Sequence, residues 1–242
     1  MSMVLLSVVL VALTAAVVLA IFLVLWGART SPGQSWIAVV SAVILAGWAF
    51  VTALLAAGGS FRPPDEYSPP PVGIALGLVM AVMTACVLVS PSLRGLLTNQ
   101  RQLILLNMWR LVGLVFLVLM ANGQMPALWA LPAGIGDIIV GAAAPWVARH
   151  LDDPGGRGRA IIFNLFGMAD LIVAVGLGVM TSPGPAHVFH TAPTSEFATQ
   201  FPFALVPTFL VPLAFVLHGI SLSQLLGGPW VSQRAFAAAR GH

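Results

Sequence analysis

Lysine is absent from this chain of 242 residues: all ten basic residues are arginine. Without lysine no Schiff base can form, which excludes retinal-binding opsins and pyridoxal enzymes, and the phosphate-binding lysine of a P-loop is missing as well. A single cysteine, Cys86, lies inside an apolar run and rules out an intrachain disulfide or a cysteine-based zinc cluster. Charge of either sign is scarce. Only 7% of the residues are charged, against about 25% in soluble domains, while 59% are hydrophobic and the mean hydropathy is +1.01. Such a chain cannot cover a globule with a wettable surface, and its composition is that of a multi-pass membrane protein.

The pI near 10.5 accompanies a net charge of only +3. The arginines are scattered, so no basic patch for nucleic acid is expected. Richness in Ala, Gly, Val and Arg with no Lys reads as a high-GC bacterial gene, which makes the bacterial plasma (inner) membrane the expected location.

Apolar runs near 3–26, 36–57, 72–90, 102–121, 128–148, 160–181 and 203–226 are each long enough to cross a hydrocarbon core of about 30 Å as a helix. The expected fold is an all-α bundle of seven transmembrane helices, forming one polytopic domain over 1–242 with no room for an appended soluble domain. The first run has no basic flank and exceeds the usual apolar core of a cleaved signal peptide, so it is expected to stay as a span. Turn-forming clusters separate the runs: Gly58-Gly59 through Pro69-Pro70-Pro71, Pro91-Ser92, Asn122-Gly123, Asp152 through Gly156, and Ser182-Pro183-Gly184-Pro185. Trp26, Trp36, Trp129, Trp146 and Trp230 fall at the ends of runs, where an amphipathic ring suits the membrane interface.

Arginine placement predicts the orientation. Arg29, Arg94, Arg101, Arg149, Arg157, Arg159, Arg234 and Arg240 fall on one side, whereas the other has Arg62 beside Asp65 and Glu66. The positive-inside rule then puts the N-terminus outside and the C-terminus in the cytoplasm.

Against this apolar background a few polar residues are expensive. A charge at the bilayer centre costs roughly 2.5–3.5 kcal/mol on insertion scales. Arg110, Asp137 and Asp170 lie about eight, nine and ten residues into their runs, about 12–15 Å from the side each comes in by. His218 falls somewhat nearer the cytoplasm, Asn107 is one turn from Arg110, and Asn164 sits below Asp170. Arg110 keeps its proton and needs a carboxylate partner. Two carboxylates beside one guanidinium leave a surplus negative charge, so either an Asp holds a proton or His218 becomes charged. The expected solute- or proton-binding set is therefore Arg110, Asp137, Asp170, His218, Asn107 and Asn164.

Runs five and six echo one another. Gly134-Ile135-Gly136-Asp137-Ile138-Ile139-Val140 and Gly167-Met168-Ala169-Asp170-Leu171-Ile172-Val173 share the pattern G-x-x-D-[IL]-I-V on helices of opposite direction. Small residues beside each Asp admit a neighbouring helix or a ligand close to the backbone, and inverted repeats around a midplane site are a transporter device. The string Gly134-Ile135-Gly136-Asp137 also resembles the GxGD motif of intramembrane aspartyl proteases and prepilin peptidases, which implies two membrane aspartates acting as acid and base. Here the GxGD run precedes that of the second aspartate, opposite to those families, and Arg110 competes for the same carboxylates.

Run seven holds Pro207 and Pro212, each of which bends a helix and frees a carbonyl one turn back; Thr208 is a local partner for such a carbonyl. Met80, Met83 and Cys86 recur every three residues in run three, a soft-metal spacing that packing also explains. His187, His190 and Glu196 share the longest outer loop without a helix to order them as zinc ligands. No metal and no cofactor is expected. The leading expectation is a permease-like carrier, proton-linked, for a small solute. An intramembrane enzyme acting on a lipid-soluble substrate through the paired aspartates, or a non-catalytic subunit of a membrane complex, are the alternatives; enzymatic activity stays open. Expected partners are membrane lipids and a small solute or protons, not nucleic acid.

Overall fold

A computed structural model describes residues 2–63, 65 and 67–227, in which every regular element is helical. Trp230, Arg234, Arg240 and Glu66, all weighed above, lie outside the described residues. Seven helical segments are long and apolar enough to cross a membrane: Met3–Gly27, Pro32–Ala57, Pro71–Val89, Gln100–Ala121, Ala127–Arg149, Gly156–Met180 and Val206–Leu225, with mean hydropathies from 1.6 to 3.2. The chain is a multi-pass membrane protein. A helix pairs most of its backbone groups internally, as hydrocarbon requires.

The uninterrupted helices of the first three spans are α1 (Met3–Gly27), α2 (Ser35–Ala57) and α3 (Pro71–Val89). A short helix that the sequence reads only as a turn, α4 (Pro91–Leu96), follows, capped by Ser90 Oγ on the Leu93 N–H at 3.2 Å. The fourth span comprises α5 (Gln100–Leu105), a tight 3₁₀ stretch (Met108–Val112) and α6 (Gly113–Ala121). Then come α7 (Ala127–Arg149) and α8 (Gly156–Met180), joined by a short turn in which Gly155 takes φ +79°. The seventh span opens with a π-helical turn (Val206–Leu210) and continues as α9 (Val211–Leu225).

Packing is uneven. α7 is the centre of the bundle and lies against α8 and every part of the fourth span. α2 and α3 present Val43, Ile44, Phe50, Ile74, Leu78 and Val89 outward, a belt of exposed apolar side chains that hydrocarbon accommodates and water would not. The main core joins α1, the fourth span and the seventh span through Leu6, Leu10, Leu119, Phe209 and Leu210.

The break in the fourth span has a local cause. Asn107 Nδ2 donates to Leu103 O at 3.0 Å, occupying the carbonyl that its own backbone N–H would use in an α-helix. That N–H moves to Ile104 O, three residues back, and Arg110 N–H likewise bonds Asn107 O. The helix therefore tightens, and Trp109 and Arg110 both turn inward.

The prolines of the seventh span are answered too. Pro212 cannot bond Thr208 O, and the indole Nε1 of Trp48, on α2, takes that carbonyl at 2.9 Å. Thr208 itself spends its hydroxyl on Ala204 O. Trp48→Phe should leave the carbonyl unpaired in an apolar interior. We expect a loss of about 1–3 kcal/mol, read as a lower melting temperature of the purified protein in detergent.

The loop after α8 folds back over its end of the bundle. Ser195 N–H bonds Thr181 O, Ser195 Oγ donates to Gly178 O at 2.6 Å, and a 3₁₀ turn over Ser195–Thr199 follows. This loop ends up as a wall rather than a free surface loop. Of the tryptophans placed at interfaces, Trp26, Trp36 and Trp146 are exposed. Trp129, by contrast, points inward, bonding Ala174 O at 2.8 Å and packing against Phe116 and Phe197.

Candidate functional site

Four separate spans bring their costly residues to one guanidinium. Arg110, fully buried, donates from Nε to Asp137 Oδ1 at 2.6 Å and from Nη2 to Asp170 Oδ2. Its Nη1 reaches Gly167 O at 3.2 Å and His218 Nε2 at 3.1 Å. Because a guanidinium only donates, His218 Nε2 accepts, and the ring is the neutral Nδ1–H tautomer. Nδ1 then donates to Asn164 Oδ1 at 2.9 Å. The expectation that His218 could carry the balancing charge is thereby corrected, since Arg110 faces its lone pair.

Beyond His218 the polar chain continues toward the arginine-rich end. Asn164 Nδ2 bonds Ala160 O and Ser221 Oγ, each at 2.8 Å. Ser221 Oγ donates to Gln100 Oε1 at 2.7 Å. Gln100 Nε2 bonds Ser221 O and Gln224 Oε1, and Gln224 Nε2 closes on Leu97 O at 2.6 Å. Side-chain amides and the Ser221 hydroxyl thus tie the fourth, sixth and seventh spans together at this end of the site. Ser221 lies three residues from His218 on one helix face, the signal that could have revealed it; Gln100 and Gln224 look in sequence like ordinary polar residues at span ends.

Five of the six expected site residues thus meet: Arg110, Asp137, Asp170, His218 and Asn164. Asn107 is the correction. It is buried but bonds its own helix, and its Oδ1 has no hydrogen-bond partner; its work is the 3₁₀ break that aims Arg110.

Glycine makes the convergence possible. A Cβ on Gly136 would overlap the Asp170 carboxylate, and one on Gly167 would overlap the His218 ring. A Cβ on Gly134 would meet Gly113 O and the Leu117 side chain at 2.9 Å, and one on Gly141 would lie 2.7 Å from Leu111 N. The glycines beside the two aspartates admit neighbouring helices, as small residues do at membrane helix contacts.

Toward the other end a cavity of about 230 Å³ opens above Asp137. Asp137 is its floor; Trp109, Phe116, Trp129, Phe197 and Phe203 supply aromatic walls; Pro70, Ser182 and Thr199 lie toward the loops. The lining is apolar apart from that carboxylate and a few hydroxyls. In the sequence, Phe197 and Phe203 gave no hint of this, because they lie in or beside an apparent loop.

The two aspartates grip different nitrogens of one arginine, so neither is a free member of an acid–base pair of the GxGD kind. His187 and His190 stack edge to face, with centroids 4.6 Å apart. Among the described residues no three His, Cys, Asp or Glu side chains gather as metal ligands would. Cys86 is exposed on α3, away from this core.

No curated protein and no solved structure matches the chain. A family model does: residues 69–226, well over half the chain and including the whole cluster and every residue named as lining the cavity, match the domain of unknown function DUF8737, and the chain belongs to that family.

Proposed function

We propose that this protein is a proton-linked carrier for a small solute in the bacterial plasma membrane, with its arginine-rich end in the cytoplasm. The carrying observation is the cavity whose floor is Asp137, a carboxylate tied to Arg110 near mid-membrane. The cavity lies toward the arginine-poor end, and the Asn164–Ser221–Gln100–Gln224 network of hydrogen bonds fills the other. One access route with a closed far side is what alternating access asks of a single state. The orientation is supported by Arg29, Arg94, Arg101, Arg149, Arg157 and Arg159 sharing one end, while Arg62 stands alone among the described arginines at the other. The π-helical turn at Pro207 sits beside the cavity on the span that bears His218, where a bend would shift both.

Asp137→Asn tests the reading. The variant leaves Arg110 paired one-to-one with Asp170, so the fold should survive. Proton flux into proteoliposomes should fall at least ~tenfold, a change of about 1.4 kcal/mol in the barrier. Unchanged flux in folded Asp137→Asn and Asp170→Asn proteins would remove the proposal.

A further inference from the structure

We infer that the solute is a small lipophilic monocation, a protonated amine with an apolar body, seated with its ammonium on Asp137 and its body among the aromatic walls of the cavity. This deepens the carrier reading and rests on it for the place where solute binds. Charge comes first. Two carboxylates, Asp137 and Asp170, stand against one guanidinium, and His218 is neutral because its Nε2 accepts from Arg110. One negative charge remains, and in surroundings of low dielectric it must be balanced by a proton or a cation.

Access comes second. Asp137 is the charged group that lines the cavity, whereas Arg110 is enclosed, its nitrogens engaged by Asp137, Asp170, Gly167 and His218. An anion coming down the cavity would meet a carboxylate before any guanidinium; a cation would meet its counter-charge. The walls agree. Trp109, Phe116, Trp129, Phe197 and Phe203 line the cavity, and an aromatic face within reach of a cation attracts it by about 0.5–2 kcal/mol. The described loops at that end carry Asp65 and Glu196 against Arg62, an acid-leaning approach. The volume, about 230 Å³, falls below the ~300–1,000 Å³ of drug-sized sites, so the solute is small.

Exchange follows from the same count. When the ammonium docks, the proton that balanced the carboxylates leaves to water at the open end, one for one, and no net charge builds up. The titratable and charged groups that face Asp137 are Arg110 from the fourth span, Asp170 from α8 and, through Arg110, His218 from the seventh span. α3 brings only Val72, Gly73 and Leu76 to this cavity.

The test is calorimetric titration of the purified full chain in detergent with three probes of one shape: phenethylammonium, 2-phenylethanol and phenylacetate. Phenethylammonium should bind at least ~tenfold tighter than the other two at pH 8. Its affinity should weaken as pH falls, and buffers of different ionisation enthalpy should report one proton released per cation. Phenylacetate or phenylethanol binding as tightly as the cation would overturn the inference, as would no binding of any probe. Cation binding without proton-linked flux in vesicles keeps this inference and removes the carrier, whereas flux driven by phenylacetate does the reverse.

Discussion

Arg110→Met is expected to cost about 3–5 kcal/mol of stability, the penalty for leaving a buried charge without its partner. The substitution keeps length and apolar volume but strands Asp137 and Asp170 together, each with little access to water, and takes a donor from Gly167 O and from His218 Nε2. The measurement is the melting temperature in detergent, with the yield of folded protein from membranes. A second variant separates folding from function. Arg110→Met combined with Asp137→Leu and Asp170→Leu removes the whole charged set, and replacing a buried ionic cluster by apolar residues is often neutral or stabilising. The triple variant should recover most of the lost stability and yet carry no proton flux. Recovery of both would reduce the cluster to a packing device. Failure of the triple variant to regain stability would mean that shape, not charge, dominates the site.

Much of the architecture could be read from the chain because lipid is an unforgiving solvent. A run of about twenty apolar residues has few alternatives to a spanning helix, and all seven expected runs coincide with helical spans to within a few residues. The same severity made Arg110, Asp137, Asp170 and His218 conspicuous: each costs too much in hydrocarbon to lack a partner. The G-x-x-D echo was also legible, and its sense is local, since each glycine clears space for a neighbouring helix.

What escaped depends on direction rather than depth. Asn107 lies at the right level but turns its amide onto Leu103 O, and sequence spacing drawn on a regular helix cannot foresee a break that this bond itself creates. Trp129 stands near the end of its run yet points inward, because Phe116, Phe197 and Ala174 O offer its ring and its N–H partners there. The loop after α8 reads as polar and Pro-rich, and its bonds to Gly178, Met180 and Thr181, which spacing does not reveal, bring Phe197 to the cavity.

Gly136→Ala tests whether the approach of α7 to α8 holds the ion cluster in register. The added methyl would occupy the space of the Asp170 carboxylate. A flexible side chain could step aside, but Asp170 is short and fixed to Arg110 Nη2, and its side chain is largely buried. Making room means surrendering that ion pair or separating two helices, so a loss of about 3 kcal/mol is expected, read as a lowered melting temperature. Gly176→Ala on α8 is the control: nothing lies within 4 Å of its added Cβ. There the better helix propensity of alanine should leave stability unchanged or raise it by up to about 1 kcal/mol. The cause can be assigned by a cycle with Asp170→Ala, which removes the obstructing carboxylate. If the clash is with that group, the two losses will fall short of adding, with a coupling of at least ~1 kcal/mol. If they add in full, the penalty lies in the backbone approach of the two helices, and Asp170 is only a bystander to it.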